Sequence, residues 1–159
     1  MTIKERRRTA TAYHEAGRAV VAFYLNVNFR TVTIVPSDGK SAHIVMSRPA
    51  DSAWQENRVI VNFSGWIAEQ KFHGCKVRYG YHSDDLNAAD LSVRFDGIDR
   101  IVRSNWFRWL HAQSEEMVEA RWRDIETVAK ALLQEKTLSF ERVGEILNAF
   151  HTPVRTSAI

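Results

Sequence analysis

The sequence predicts a mainly helical fold that carries one small β-hairpin. Three observations predict it. Apolar residues recur at helical spacing through most of the 159 residues. Two short runs rich in β-branched residues flank a Pro-Ser-Asp-Gly turn. Helix-starting and helix-ending residues bound most of the periodic segments.

The first helix is expected from about Ile3 to Leu25, where Ala12, Ala16, Ala19, Val20 and Phe23 share one face. Arg30 to Val35 and Ala42 to Met46 read as short strands, with Pro36, Ser37, Asp38 and Gly39 supplying turn chemistry between them. Pro49 closes that section. Asp51 or Ser52 is placed to cap a second helix that runs to about Phe72, with Gly74 just past its end. After an aromatic loop from Lys76 to His82, Ser83 can cap another helix. Asp84 and Asp85 would then fall in its first turn, where negative charge meets the positive end of the helix dipole. A break is expected near Asp96 and Gly97, followed by a long helical segment from about Ser104 to Gln134. Ser139 can cap a last helix to about Phe150. Residues 1–150 read as a single domain and 151–159 as a flexible tail.

Composition narrows the functional classes. An apolar fraction of 45% and a charged fraction of 26% are those of a globular chain, which excludes wholesale disorder. The net charge is only +3, from 22 basic and 19 acidic residues. The one dense basic run, Lys4, Arg6, Arg7 and Arg8 around Glu5, reads as a solvated lead-in to the first helix. Cys75 is the only cysteine, so an internal disulfide and a four-cysteine zinc site are excluded. A reducing, cytoplasmic setting is the expectation. The longest apolar run, Ala19 to Leu25, falls far short of the ~20 residues that span a bilayer, and no signal-peptide pattern precedes it. A soluble protein with no membrane segment is expected.

The sharpest local feature is Tyr13-His14-Glu15-Ala16-Gly17-Arg18-Ala19. In a zinc peptidase helix, His-Glu-x-x-His sets two imidazoles four residues apart so that both bind one metal. The glutamate beside the first histidine takes a proton from the metal-bound water. Here Arg18 stands at the second imidazole position, and a guanidinium has no lone pair to give a cation. Taken alone, the His-Glu pair reads more readily as part of a partly buried helix making ordinary hydrogen bonds than as a metal site.

Other segments add a family likeness. TAYHEAGRAVVAF resembles the signature helix of FtsH-type proteases, and TVTIVP resembles the strand that follows it there. SGWIAEQKFHG is similar to the family's glycine-x-x-alanine-glutamate helix. YGYHSDDLNAADL resembles the segment that supplies its third zinc ligand, and IETVAKALLQEKTLSFERVGEIL resembles its closing helices. The resemblance implies a helical FtsH-peptidase-like domain. It places His14 at the first zinc-histidine position, Glu15 at the general base and Asp85 at the aspartate ligand. It also places Glu69 at the family glutamate, able to orient His14. Trp66 departs from the pattern and is expected to fill space near the cleft.

With Arg18 in place, His14 and Asp85 are what remains of the ligand set. His82 is the nearest substitute donor, and His43 and His73 are more distant ones. The expectation is that Arg18 pairs with Asp85 or Glu69 where a metal would sit, leaving no cofactor, with zinc bound only if the site is retained. Gly39-Lys40-Ser41 imitates the end of a phosphate loop, but Ile34 stands where the leading glycine belongs. Trp106, Phe107, Trp109, Leu110 and Trp122 read as core, with any surplus exposed aromatics favouring self-association. The expected function is a catalytically impaired or inactive peptidase-like domain that binds a protein or peptide, as a subunit or regulator, with a homo-oligomer among the forms it can take. The alternative is an active zinc endopeptidase with an altered ligand set. A nucleic-acid-binding module ranks last, because no element interleaves basic and aromatic residues.

Overall fold

The computed structural model describes residues 1–36, 42–47, 52–75 and 105–151. Among them are five helices and three strands. In chain order these are α1 (Ile3–Tyr24), β1 (Phe29–Thr33), β2 (His43–Met46) and α2 (Ser52–Phe72). They are followed by α3 (Asn105–Ala120), α4 (Trp122–Glu135), β3 (Thr137–Ser139) and α5 (Phe140–His151). The expected mainly helical fold with a small sheet is the one observed. The turn at 37–41, the helix expected after Ser83 and the tail beyond His151 lie outside the described residues.

Helix α1 is the axis of the molecule. Thr2 opens it with a capping box, its hydroxyl accepting from the Glu5 N–H while the Glu5 carboxylate accepts from the Thr2 N–H. Ala12, Ala16, Ala19, Val20, Val21 and Ala22 are wholly buried. Small side chains here let neighbouring elements approach closely. The nearest approach is to α2. A Cβ on Gly17 would lie 2.6 Å from the Ser64 carbonyl oxygen and 2.7 Å from the Ala68 Cβ, so the helices meet where no side chain fits.

The sheet has the order β2-β1-β3 with both pairings antiparallel. Val32 faces Ile44 on one side and Leu138 on the other, and all three are buried. The sequence predicts only the hairpin; β3 is an addition. Its three residues carry no periodicity of their own, and the pairing follows from how α4 ends. Lys136 takes a positive φ of 71° and its carbonyl accepts from the Ile34 N–H, which lays the following residues along β1. Ser139 then caps α5, its hydroxyl accepting from the Arg142 N–H.

The long helical segment is also divided, at Arg121. No glycine or proline marks the place. The Arg121 guanidinium lies 3.8 Å over the Tyr24 ring, and Tyr24 donates a hydrogen bond to the buried Asp124. His151 reaches the same carboxylate at 2.8 Å, tying the end of α5 to α4. Of the aromatic residues expected in the core, Phe107 is buried and Trp106 and Trp122 are partly so. Trp109 is 51% exposed and is the exception. No described helix is long and apolar enough to cross a membrane.

Two expected outcomes follow from this packing. Gly17→Ala forces α1 from α2 and lowers the urea midpoint by an amount equivalent to about 1–3 kcal/mol with an unchanged m-value. An unchanged midpoint would mean that the helices do not meet there. The second concerns His111, buried on α3 against Phe63, where burial holds its pKa below the usual 6.5 despite the opposing pull of Glu115. At pH above 6.5 both the folded and unfolded imidazoles are neutral. As the pH falls below that value the unfolded chain takes up the proton first, so stability drops. Replacing His111 with leucine should flatten this acid limb in denaturation profiles; an unaltered slope contradicts the assignment.

Candidate functional site

The candidate site lies in the seam between α1 and α2. The helices run antiparallel there, because His14 meets Glu69 while Arg18, one turn on, meets Asn62. Four-residue spacing puts His14 and Arg18 on one face of α1. Asn62, Gly65 and Glu69 fall at near-helical spacing on the facing stripe of α2.

His14 is held through Nδ1, which lies 2.9 Å from Glu69 Oε2. A carboxylate on Nδ1 fixes the orientation of an imidazole and leaves Nε2 as its other working atom. Nε2 lies against Gly65, where an added Cβ would come within 2.8 Å of it. The same Cβ would meet Arg18 Cγ at 2.7 Å and Cδ at 2.9 Å. Gly65 is therefore the gap through which both side chains pass.

Glu15 and Arg18 point inward. Glu15 is 2% exposed and Arg18 9%. An Arg18 Nη2–H donates to Asn62 Oδ1 at 2.9 Å, and Nη1 lies 3.7 Å from Glu15 Oε2. The described partners of Arg18 are thus Asn62 and Glu15, whereas the expected partner Glu69 is engaged with His14. Asp85, the other expected partner, and the substitute donor His82 both lie outside the described residues. His43 opens β2 and His73 follows α2. Trp66 is half-buried beside Gly65.

A cleft of about 290 Å³ opens beside this cluster, lined by Thr11, His14, Glu15, Ile34, Pro36 and Ala42. It joins the polar face of α1 to the residues that follow β1. A catalytic zinc requires three protein donors and an open position. Among the described residues no three His, Cys, Asp or Glu side chains are grouped to hold a metal. The decisive misfit is chemical. The guanidinium at position 18 has no lone pair, it carries a permanent positive charge into the seam, and the Glu15 carboxylate is already its counter-ion. The donors in view do not fit a resident zinc.

Asn62 is the residue that sequence reasoning missed. A signal was present, because it is a lone amide in the apolar run Val59-Ile60-Val61-Asn62-Phe63, and it is 2% exposed. A buried amide calls for a partner across the seam.

The model of Peptidase family M41 matches residues 1–95, which hold the α1 and α2 cluster. The helices from Asn105 onward lie beyond that match. The chain is 30% identical over 101 residues to the ATP-dependent zinc metalloprotease YME1L1 of Mus musculus, covering 58% of this chain and 14% of that protein. The Homo sapiens YME1L1 matches equally, with 13% of its length covered. The ATP-dependent zinc metalloprotease FtsH of Borreliella burgdorferi (strain ZS7) is 34% identical over 102 residues, 59% of this chain and 16% of that protein. The matched stretch is therefore a small part of each of these relatives.

The burial of the two acidic residues ranks their contributions. Removing the Glu15 carboxylate by Glu15→Ala leaves a buried guanidinium without its counter-ion, at a cost of about 3–5 kcal/mol. Glu69→Ala breaks a half-exposed contact and costs about 1 kcal/mol or less. Urea denaturation of the two variants should show that order, and equal losses contradict it.

Proposed function

The chain belongs to peptidase family M41, and from that premise we propose that it is an FtsH-type peptidase domain that holds no zinc. On this reading it acts by binding a protein or peptide, as a subunit or regulator, rather than by cleaving one. The observation that carries the reading is the engagement of Arg18. Its guanidinium is buried, hydrogen-bonded to Asn62 and set beside Glu15. Arg18 is thereby neither a metal ligand nor a mobile surface charge, and Glu15 faces a cation inside the protein.

The cleft beside His14 supports a binding role. It keeps an apolar wall in Ile34, Pro36 and Ala42 opposite the polar atoms of Thr11, His14 and Glu15. Such a surface suits a peptide, whose backbone needs hydrogen-bonding partners and whose side chains need apolar contact. Self-association belongs to the same proposal, with Trp109 the exposed aromatic on α3.

One observation favours a second reading. The His14–Glu69 contact is the arrangement that orients a metal-binding imidazole. An active zinc endopeptidase would then draw its remaining donors from Asp85 and His82.

Zinc analysis of the purified chain separates the two. The expected result is a metal content far below one zinc per chain and no chelator-sensitive cleavage of casein. Arg18→His, which returns a neutral nitrogen donor, should raise the zinc content of the variant. One tightly held zinc per parent chain, with cleavage abolished by chelation, overturns the proposal in favour of the second reading.

A further inference from the structure

We infer that Asn62 is a positioning residue that turns Arg18 into a built-in substitute for a metal, a permanent cation bridging α1 and α2. The inference rests on the reading of the domain as zinc-free and adds the partner that makes that state structurally self-sufficient.

Two polar rungs cross the α1–α2 seam. His14 pairs with Glu69, and Arg18 with Asn62. Gly65 lies between the rungs on α2, touching His14 Nε2 and the Arg18 methylenes. By charge alone, the better acceptor for a guanidinium on α2 is the carboxylate of Glu69. The head is found instead on the neutral Asn62 amide, about two turns of α2 from Glu69. Two features produce that choice. The missing Cβ at Gly65 opens the path for Cγ and Cδ, and the Asn62 oxygen is a buried acceptor at its end. Glu15, three residues back on α1, supplies the single negative charge that balances the head.

Asn62 therefore adds an acceptor without adding charge, which suits a cation that already has one counter-ion. It also keeps the guanidinium off Glu69. That leaves Glu69 to His14, and His14 remains an oriented polar group on the wall of the cleft. Arg18 and Asn62 join the helices, while Glu69 fixes the imidazole.

Side-chain NMR of the full chain tests this. A guanidinium whose Nη2 is held by Asn62 rotates slowly and gives separate Arg18 η-proton signals, with a cross-peak to the Asn62 side chain. Asn62→Leu should merge or abolish the separate signals and weaken the His14–Glu69 contact as the freed head competes for Glu69. Asn62→Asp, which keeps the acceptor oxygen, should retain the separate signals. Arg18 signals that are unaltered by Asn62→Leu overturn the inference. If Asn62→Leu is too unstable to examine, the triple variant Glu15→Gln, Arg18→Met and Asn62→Leu decides, because it leaves neither a stranded cation nor a stranded carboxylate. It should be more stable than Asn62→Leu, and a triple variant no more stable than Asn62→Leu overturns the inference. Zinc content of the parent is measured separately. A zinc-loaded parent defeats the reading beneath, whereas a zinc-free parent with Asn62-independent Arg18 signals defeats this inference alone.

Discussion

A positive charge buried between two helices is the constraint on which the site depends. A guanidinium withdrawn from water must recover its hydration from protein groups, or it destabilises the fold by several kcal/mol. Arg18 recovers part of it, through one hydrogen bond from Nη2 to Asn62 and the Glu15 carboxylate 3.7 Å from Nη1, while its buried Nε makes no hydrogen bond among the described residues. The same charge bears on any metal in the seam. Two unit charges 4 Å apart at moderate dielectric interact by about 4 kcal/mol, and a dication doubles that to about 8 kcal/mol. At about 1.4 kcal/mol per tenfold, the repulsion amounts to between five and six orders of magnitude in affinity. On the zinc-free reading, metal and guanidinium are alternatives in this space.

The polar cluster can be held so closely because the apolar packing around it is tight. The alanines of α1 and the missing side chain at Gly17 bring α2 to within a backbone's thickness, and Gly65 opens the facing stripe of α2. On the other flank, β1 lies between β2 and β3, and its Val32 completes a buried row with Ile44 and Leu138. The chain that leaves β1 then passes the mouth of the cleft at Ile34 and Pro36. One helix thus serves both as the centre of the core and as one wall of the cleft.

Much of this was legible in the sequence, and for physical reasons. The bounds of α1 and α2 came from apolar period and from caps, Gly74 at a positive φ of 70° among them. The hairpin came from β-branched runs around turn residues. What escaped was set by tertiary contact. β3 is three residues that become a strand because β1 is beside them, and the break at Arg121 coincides with a ring and a carboxylate supplied by Tyr24 and Asp124. At the site, the sequence identified His14, Glu15, Arg18 and Glu69 as residues to watch, and the structure brings all four into one seam. It did not give the pairing. Charge predicted Arg18 on Glu69 or Asp85; Asp85 lies outside the described residues, and Glu69 is engaged with His14. A route opened at Gly65 and an amide within an apolar run set the guanidinium on Asn62.

A site built this way can change its chemistry without losing its fold. Around it the core holds Ala16, Ala19, Val20, Val61, Ile67 and Ala68, none of which offers a donor or acceptor side chain. Their burial supplies the hydrophobic driving force whatever occupies the polar stripe. The stripe needs only to be neutral as a whole and hydrogen-bonded within itself. A histidine with a metal would be one solution, and an arginine with an amide and an internal carboxylate is a second, which balances the buried charge and sets one hydrogen bond across the seam. The second solution joins the helices through Arg18 and Asn62 beside the cleft that His14 and Glu15 line.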